Sequence, residues 1–180
     1  ALARAKPGEL NYASPGIGSS PHLAAELFKS MAGVNIVRIN YKGTGLGIND
    51  VVAGHVHLML PSAAGVTAHI KSGRLKGLAV TSARPSALVP GLPTIAASGV
   101  PGYDSSSAFG LFGPARTPAS IVAQLQRECA RILSTPDIRE KFLNMGVEPV
   151  GDTTEALAAH LKTEIARIAK LIKDAGIRVE

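Results

Sequence analysis

The chain has 180 residues, 46% of them hydrophobic and 18% charged, with 19 Lys+Arg against 13 Asp+Glu and a formal net charge of +6 at pH 7. That length and apolar content suit one to one and a half globular domains and exclude a disordered chain. No run approaches the roughly 18 apolar residues of a membrane span, so no membrane insertion is expected. The basic residues are scattered and the aromatics few (4 Phe, 3 Tyr, 0 Trp). A nucleic-acid partner is therefore not expected, and the charge fits small anionic ligands better. Cys129, the one cysteine, excludes an intrachain disulfide and a thiolate zinc cluster. It reads as a core residue of a helix.

In chain order, Leu10–Ser14 alternates as a strand. Gly16 and Gly18 follow, able to take positive φ and to let a backbone approach closely. Ser20 stands at an N-cap position and Pro21 at the first helical one. Leu23, Leu27 and Met31 then recur at helical spacing, and Gly33 ends the helix. A strand–turn–helix junction of this kind aims free N–H groups and a positive dipole end at one spot, which suits a carboxylate or phosphate. The turn lacks the Gly-Lys-Ser/Thr of a phosphate loop and the Gly-x-Ser-x-Gly of a nucleophile elbow.

Val34–Tyr41 reads as a β-branched strand. The turn Lys42–Gly47 leads to a short helix near Ile48–Ala53. Val56–Leu60 is a third strand, Ala63–Lys71 a helix stopped by Ser72-Gly73, and Leu75–Ser82 a fourth strand. This alternation predicts a mostly parallel sheet with helices on its faces. Ser105–Gly113 reads as one more strand. Beyond it the pattern is helical. Thr117-Pro118 opens a helix striped by Val122, Leu125, Cys129 and Ile132. Thr135-Pro136 opens another, ended by Gly146, and Glu148–Val150 is a candidate short strand. Thr153 caps a long helix through Leu157, Leu161, Ile165, Ile168 and Ile172 that stops at Gly176. The shift near residue 105 leaves helices with apolar faces and no sheet of their own to cover. Part of a second domain is expected from outside this chain, and self-association is expected if that face stays open.

His55 and His57 form His-x-His on a predicted strand, with both side chains on one face. A metal would need a third ligand such as Asp50, and none is assigned. His22 either contacts a ligand or shields the helix start. Tyr41 either bonds a ligand or packs, Lys42 either attracts an anion or stays solvated, and Asp50 reads as structural. A pairing of Ser19 or Ser20 with His22 would suggest an esterase, but the three are too local for a nucleophile–base pair, so no catalytic residue is expected.

The run Leu10-Asn11-Tyr12-Ala13-Ser14-Pro15-Gly16-Ile17-Gly18-Ser19-Ser20-Pro21-His22-Leu23-Ala24 resembles the Bug family of periplasmic solute receptors, which serve tripartite tricarboxylate transporters. Asn40-Tyr41-Lys42-Gly43, Leu75-Lys76-Gly77-Leu78-Ala79-Val80-Thr81, Leu92-Pro93-Thr94-Ile95 and Phe109-Gly110-Leu111-Phe112-Gly113-Pro114-Ala115-Arg116-Thr117-Pro118 follow the family in the same order. The resemblance covers essentially the whole chain.

It implies an α/β, type II periplasmic-binding fold of two lobes. Residues 1–105 would be one complete βαβ lobe and residues 106–180 the mainly helical, returning part of the other. The family's signal peptide and the first half of that other lobe would precede Ala1. Ala1–Lys6 is itself too short and too charged to read as a signal peptide. The resemblance also implies a periplasmic receptor that binds a small carboxylate without chemistry or cofactor and is read by membrane transporter subunits. An effector-binding domain of a regulator shares the architecture and is the alternative. The implied binding residues are Ser14, Gly16, Ile17, Gly18, Ser19, Ser20 and His22 on the first turn, Tyr41, Lys42, Gly43 and Thr44 on the second, and Pro61 and Ser62 on the third. Many relatives carry an acidic residue where this chain has Pro61-Ser62, so a ligand other than an acidic amino acid is expected.

Overall fold

A computed structural model describes residues 1–178. The chain runs α1 (Leu2–Ala5), β1 (Asn11–Ser14), α2 (Ser20–Ala32), β2 (Val37–Asn40), α3 (Thr44–Ala53), β3 (Leu58–Met59), α4 (Ala63–Lys71), α5 (Ala119–Leu133), α6 (Pro136–Asn144) and α7 (Thr154–Asp174). The three strands form a parallel sheet in the order β2-β1-β3. Tyr12 aligns with Arg38 and with Leu58, and Ala13 with Ile39 and with Met59. The expected mixed α/β architecture with a parallel sheet is what forms.

Strand alternation sends neighbouring side chains of β1 to opposite faces. Tyr12, fully buried, packs with Ala25 of α2 and with Ile36. Ala13 faces the other way, toward α3, where a Cβ on Gly47 would stand 3.0 Å from the Ala13 Cβ. Gly47 thus lets α3 lie close on the strand. The chain leaves β1 toward one face and β2 toward the other, with α4 packed on α3 through Gly65 and Ile48. Connections that depart to opposite faces open a crevice at the C-terminal ends of the strands.

Several expected boundaries shift, for local reasons. The second strand begins at Val37 because residues 34 and 35 are spent on closures. The Val34 N–H returns to the Lys29 carbonyl behind left-handed Gly33, and the Asn35 carbonyl accepts from Gly8. The third strand begins at Leu58 because the His57 ring replaces the backbone, with its Nδ1 accepting the Asn11 N–H at 3.1 Å. The His-x-His pair is therefore not on a strand, and the two rings part company, since His55 turns to Asp50 at 3.4 Å. Helix α3 begins at Thr44, four residues before the expected start. The expected fourth strand, Leu75–Ser82, is reduced to one parallel bridge between Val80 and Thr94. Pro93 supplies a carbonyl to Val80 but has no N–H to extend the ladder.

The expected strands at Ser105–Gly113 and Glu148–Val150 do not form. Ser105 donates to the Thr81 carbonyl, and the chain beyond it is irregular, with Phe109 83% and Leu111 71% exposed. A strand needs a partner ladder, and none lies beside this segment among the described residues. The apolar stripe of α5 is similarly uncovered, with Leu125 half exposed and Cys129 only partly buried.

The second half instead docks on the first at three places. Leu171 of α7 is buried against α2, the Glu148 carboxylate accepts from the Ala87 N–H at 3.0 Å, and Gly146 abuts Ala64 at the start of α4. Thr153 caps α7 as expected, accepting from the Ala156 N–H at 3.2 Å. At α5 the cap position falls on Pro118 rather than Thr117, whose hydroxyl donates to the Pro114 carbonyl. No described helix is long and apolar enough to cross a membrane.

Candidate functional site

Parallel strands bring their C-terminal ends to one edge. From that edge the chain turns directly into α2, α3 and α4, of 13, 10 and 9 residues. Three helix N-termini therefore converge on the crevice, each adding the positive end of its dipole. Their cap residues, Ser19, Gly43 and Ser62, give no side-chain hydrogen bond to the first turn. First-turn N–H groups have no partner one turn back within the helix. Here Gly65 of α4 is spent on the Ser62 carbonyl at 3.1 Å and Pro21 of α2 has no N–H, so the donors come from the other first-turn residues. Residues 14–22, 40–46 and 59–65 carry no Asp or Glu, and Lys42 is their lone lysine, exposed. The edge is electropositive and has no carboxylate to repel an anion.

The first turn is pinned from inside. Ser14 is fully buried, and its hydroxyl donates to the Gly16 carbonyl at 3.3 Å. The Ser19 hydroxyl donates to the same carbonyl at 2.8 Å. Gly16 and Gly18 take φ of 147° and 75°, the left-handed backbone that the two glycines were expected to supply. The Gly18 N–H donates to His22 Nδ1 at 3.0 Å. An N–H can only donate, so this Nδ1 carries a lone pair and the ring proton sits on Nε2. Nε2 faces Glu26 Oε1 at 3.9 Å.

One expectation is corrected here. Ser20 is not the N-cap. Ser19 takes that position with extended backbone, and Ser20 is the first helical residue with Pro21 behind it. The Ser20 side chain lines a cavity of about 50 Å³ between α2, Ser105–Ser107 and Arg167 of α7. His22, at 5% exposure, braces the turn from inside through its bond to Gly18, and with Ser19 committed to Gly16 no serine–histidine pair forms at this turn among the described residues. Ile17 is exposed at the tip.

On the second turn, the Tyr41 hydroxyl donates to Asp50 Oδ2 at 2.7 Å. That bond raises the tyrosine's pKa, and with His55 it holds the Asp50 carboxyl below its ordinary value. Asp50 is thus structural, as expected, and Tyr41 is tied back to α3. The Tyr41 N–H extends the β1 ladder to the Ser14 carbonyl at 2.8 Å, which places the first and second turns side by side. Gly43 is the cap residue of α3 and Thr44 its first residue. Pro61 and Ser62 lead into α4, with Ser62 exposed as its cap residue.

Behind the first turn lies a polar cluster that the motif reading did not include. Glu26 accepts from the buried Tyr12 hydroxyl at 2.6 Å and from Lys29 Nζ at 2.8 and 2.9 Å. Burial pushes the Glu26 carboxyl up, but the bonds from Lys29 and Tyr12 outweigh it and hold it below its ordinary value. Burial lowers the His22 pKa; the charges of Arg38 and Lys29 add to the effect and that of Glu26 opposes it. His22, Glu26 and Lys29 stand at helical i, i+4 and i+3 spacings, so their shared face was legible. The bond across to Tyr12 was not.

Comparison with known proteins bears on the family and the fold. The profile of the tripartite tricarboxylate transporter family receptor (TctC) matches residues 1–177. Protein BugT of Bordetella pertussis is 32% identical over 180 residues, which cover 100% of this chain and 55% of BugT. An R. palustris protein solved with adipate is 38% identical, with a TM-score of 0.81 over 98% of this chain and 59% of that one. MatC from Rhodopseudomonas palustris, solved with bound malate, is 25% identical, with a TM-score of 0.72 over 95% of this chain and 59% of that one. The chain spans little more than half the length of these relatives. By the family profile, the BugT likeness and the shared fold, the chain belongs to the Bug-type family of tripartite tricarboxylate transporter receptors.

Proposed function

We propose that the chain is the carboxylate-binding part of a periplasmic receptor, which captures a small dicarboxylate at the C-terminal edge of its sheet and delivers it, unchanged, to a membrane transporter. The observation that carries this reading is the convergence of three uncapped helix N-termini on an edge without acidic side chains. One carboxylate would accept from first-turn N–H groups of α2 and α3, with Thr44 adding a hydroxyl. A ligand ammonium group would find no carboxylate there, which favours a plain dicarboxylate over an amino acid. Adipate and malate, which the two structural relatives were solved with, are dicarboxylates without an amino group.

In this reading residues 1–105 form one lobe and residues 106–180 part of the other. A segment preceding Ala1 would complete the second lobe and cover Phe109, Leu111 and the α5 stripe. Hinge closure would then enclose the ligand. Calorimetric titration of adipate and malate into this chain, and into a version extended at its N-terminus to the length of the relatives, tests the reading. Binding that requires the extension is the expected result. Tight binding by the chain alone would overturn the two-part site. A folded, extended version that binds neither acid would overturn the dicarboxylate reading.

A further inference from the structure

We propose that His22 is a positioning residue for the binding turn: as neutral imidazole it holds Gly18 in place, and its protonation releases the turn and weakens carboxylate binding. This rests on the function proposed above for the same edge. The geometry supplies the reason. The turn is fastened at two points. One is the Gly16 carbonyl, which accepts from the hydroxyls of Ser14 and Ser19, and neither hydroxyl titrates in the neutral range. The other is the Gly18 N–H, fastened to His22 Nδ1 at 3.0 Å. A proton on Nδ1 would set two donors against each other at that distance, and the ring is too enclosed to swing away. The Gly18 N–H must then leave, carrying with it the backbone between Gly16 and the start of α2.

The charges that act on the ring come from α2 and β2, and those of α7 stand around its neighbours. On α2, Glu26 favours the imidazolium while Lys29 opposes it. Tyr12 of β1 and Lys29 already engage the Glu26 carboxylate, which limits its pull on the ring. Arg38 of β2 opposes protonation. From α7, Asp174 shares a cavity with Glu26 and Lys29, and Glu164 and Arg167 pair with each other beside Leu23. The balance lowers the imidazole pKa, with burial as the largest cause. The turn is therefore fastened at neutral pH and loosens on the acid side of the ordinary histidine range.

The test has two arms on the full chain, extended as above where binding needs it. In the first, NMR follows the His22 ring and the Gly18 amide from about pH 7.5 down to the acid limit of the folded protein, a span that starts above an ordinary histidine and extends to the lowered His22 value. Titration of both with one midpoint is expected; a Gly18 amide indifferent to the His22 titration overturns the proposal. In the second arm, adipate affinity is measured over the same range in the parent and in His22→Asn and His22→Ala. Asparagine Oδ1 reproduces the Nδ1 acceptor without titrating. The ligand's own titration is common to all three proteins and divides out. Proton linkage predicts a parent Kd that rises by up to about tenfold per pH unit below the imidazole midpoint. His22→Ala should bind weakly at every pH, and His22→Asn should recover binding with a flat residual profile. A parent profile matching His22→Asn overturns the proposal. Coupled NMR titrations with no adipate binding at any pH would support the fastening and count against the dicarboxylate reading alone.

Discussion

Gly146→Ala is expected to destabilise the protein by roughly 2–5 kcal/mol, the sum of left-handed strain and overpacking. Gly146 ends α6 with φ of 75°. A Cβ there would lie 2.7 Å from both the Cα and the N of Ala64. Both are backbone atoms in the first turn of α4, and neither can rotate aside. The second half of the chain would have to withdraw from the edge it touches. Gly176 makes the control. It has φ of 62° with nothing within 4 Å of an added Cβ, so Gly176→Ala should show backbone strain alone, about 1–2 kcal/mol. Urea unfolding of the two variants checks this, and equal midpoint shifts would contradict the close approach at Gly146.

Glu26→Ala is expected to cost about 2–4 kcal/mol, because it strands a buried donor and an ammonium rather than merely removing a contact. The Tyr12 hydroxyl, buried in the parent, would lose its acceptor, and Lys29 its partner. Once Glu26 is gone, Tyr12→Phe should add little or even restore stability, a coupling that a double-mutant cycle measures. The pH dependence follows from the depressed Glu26 value. An acid whose folded pKa lies below its unfolded one stabilises the fold above the unfolded pKa, and the contribution is lost as pH falls through the folded value. Glu26→Gln should therefore flatten the acid limb of stability below about pH 4.5. His22 acts in a separate window. Its neutral form is the one stabilised, so its contribution is present above the ordinary histidine pKa and declines as pH falls from there toward the lowered folded value. Urea midpoints that fall in a single step, unchanged by Glu26→Gln, would contradict the assignment.

Much of the fold was readable because its signals are local. The bounds of α2 and α4 coincide with their sequence limits, since Gly33 and Ser72-Gly73 stop them in the backbone itself. Thr153 caps α7 through a bond that needs three residues of context. Strands were read less well, because a strand exists only where another lies beside it. Leu75–Ser82 and Ser105–Gly113 have strand composition but lack a ladder to join, and His57 shortens β3 by a side-chain bond that no periodicity reveals. At the candidate site the glycine turn was legible in Gly16 and Gly18. The division of labour around it was not. Ser19 and Ser20 are adjacent and chemically alike, and only the three-dimensional turn makes one the cap residue and sends the other to α7. His22 likewise faces inward because Gly18 offers it a donor four residues back.

The central claim is that the C-terminal edge of the β2-β1-β3 sheet holds the ligand carboxylate. Amide chemical-shift mapping tests it most directly, with adipate and then malate added to the isotopically labelled chain extended to the length of its relatives. The account predicts saturable shifts concentrated at Ile17–His22 and Thr44–Leu46, with the amides of α5 and α6 little affected. Saturable shifts confined to the second half, or binding that leaves both turns unmoved, would contradict it.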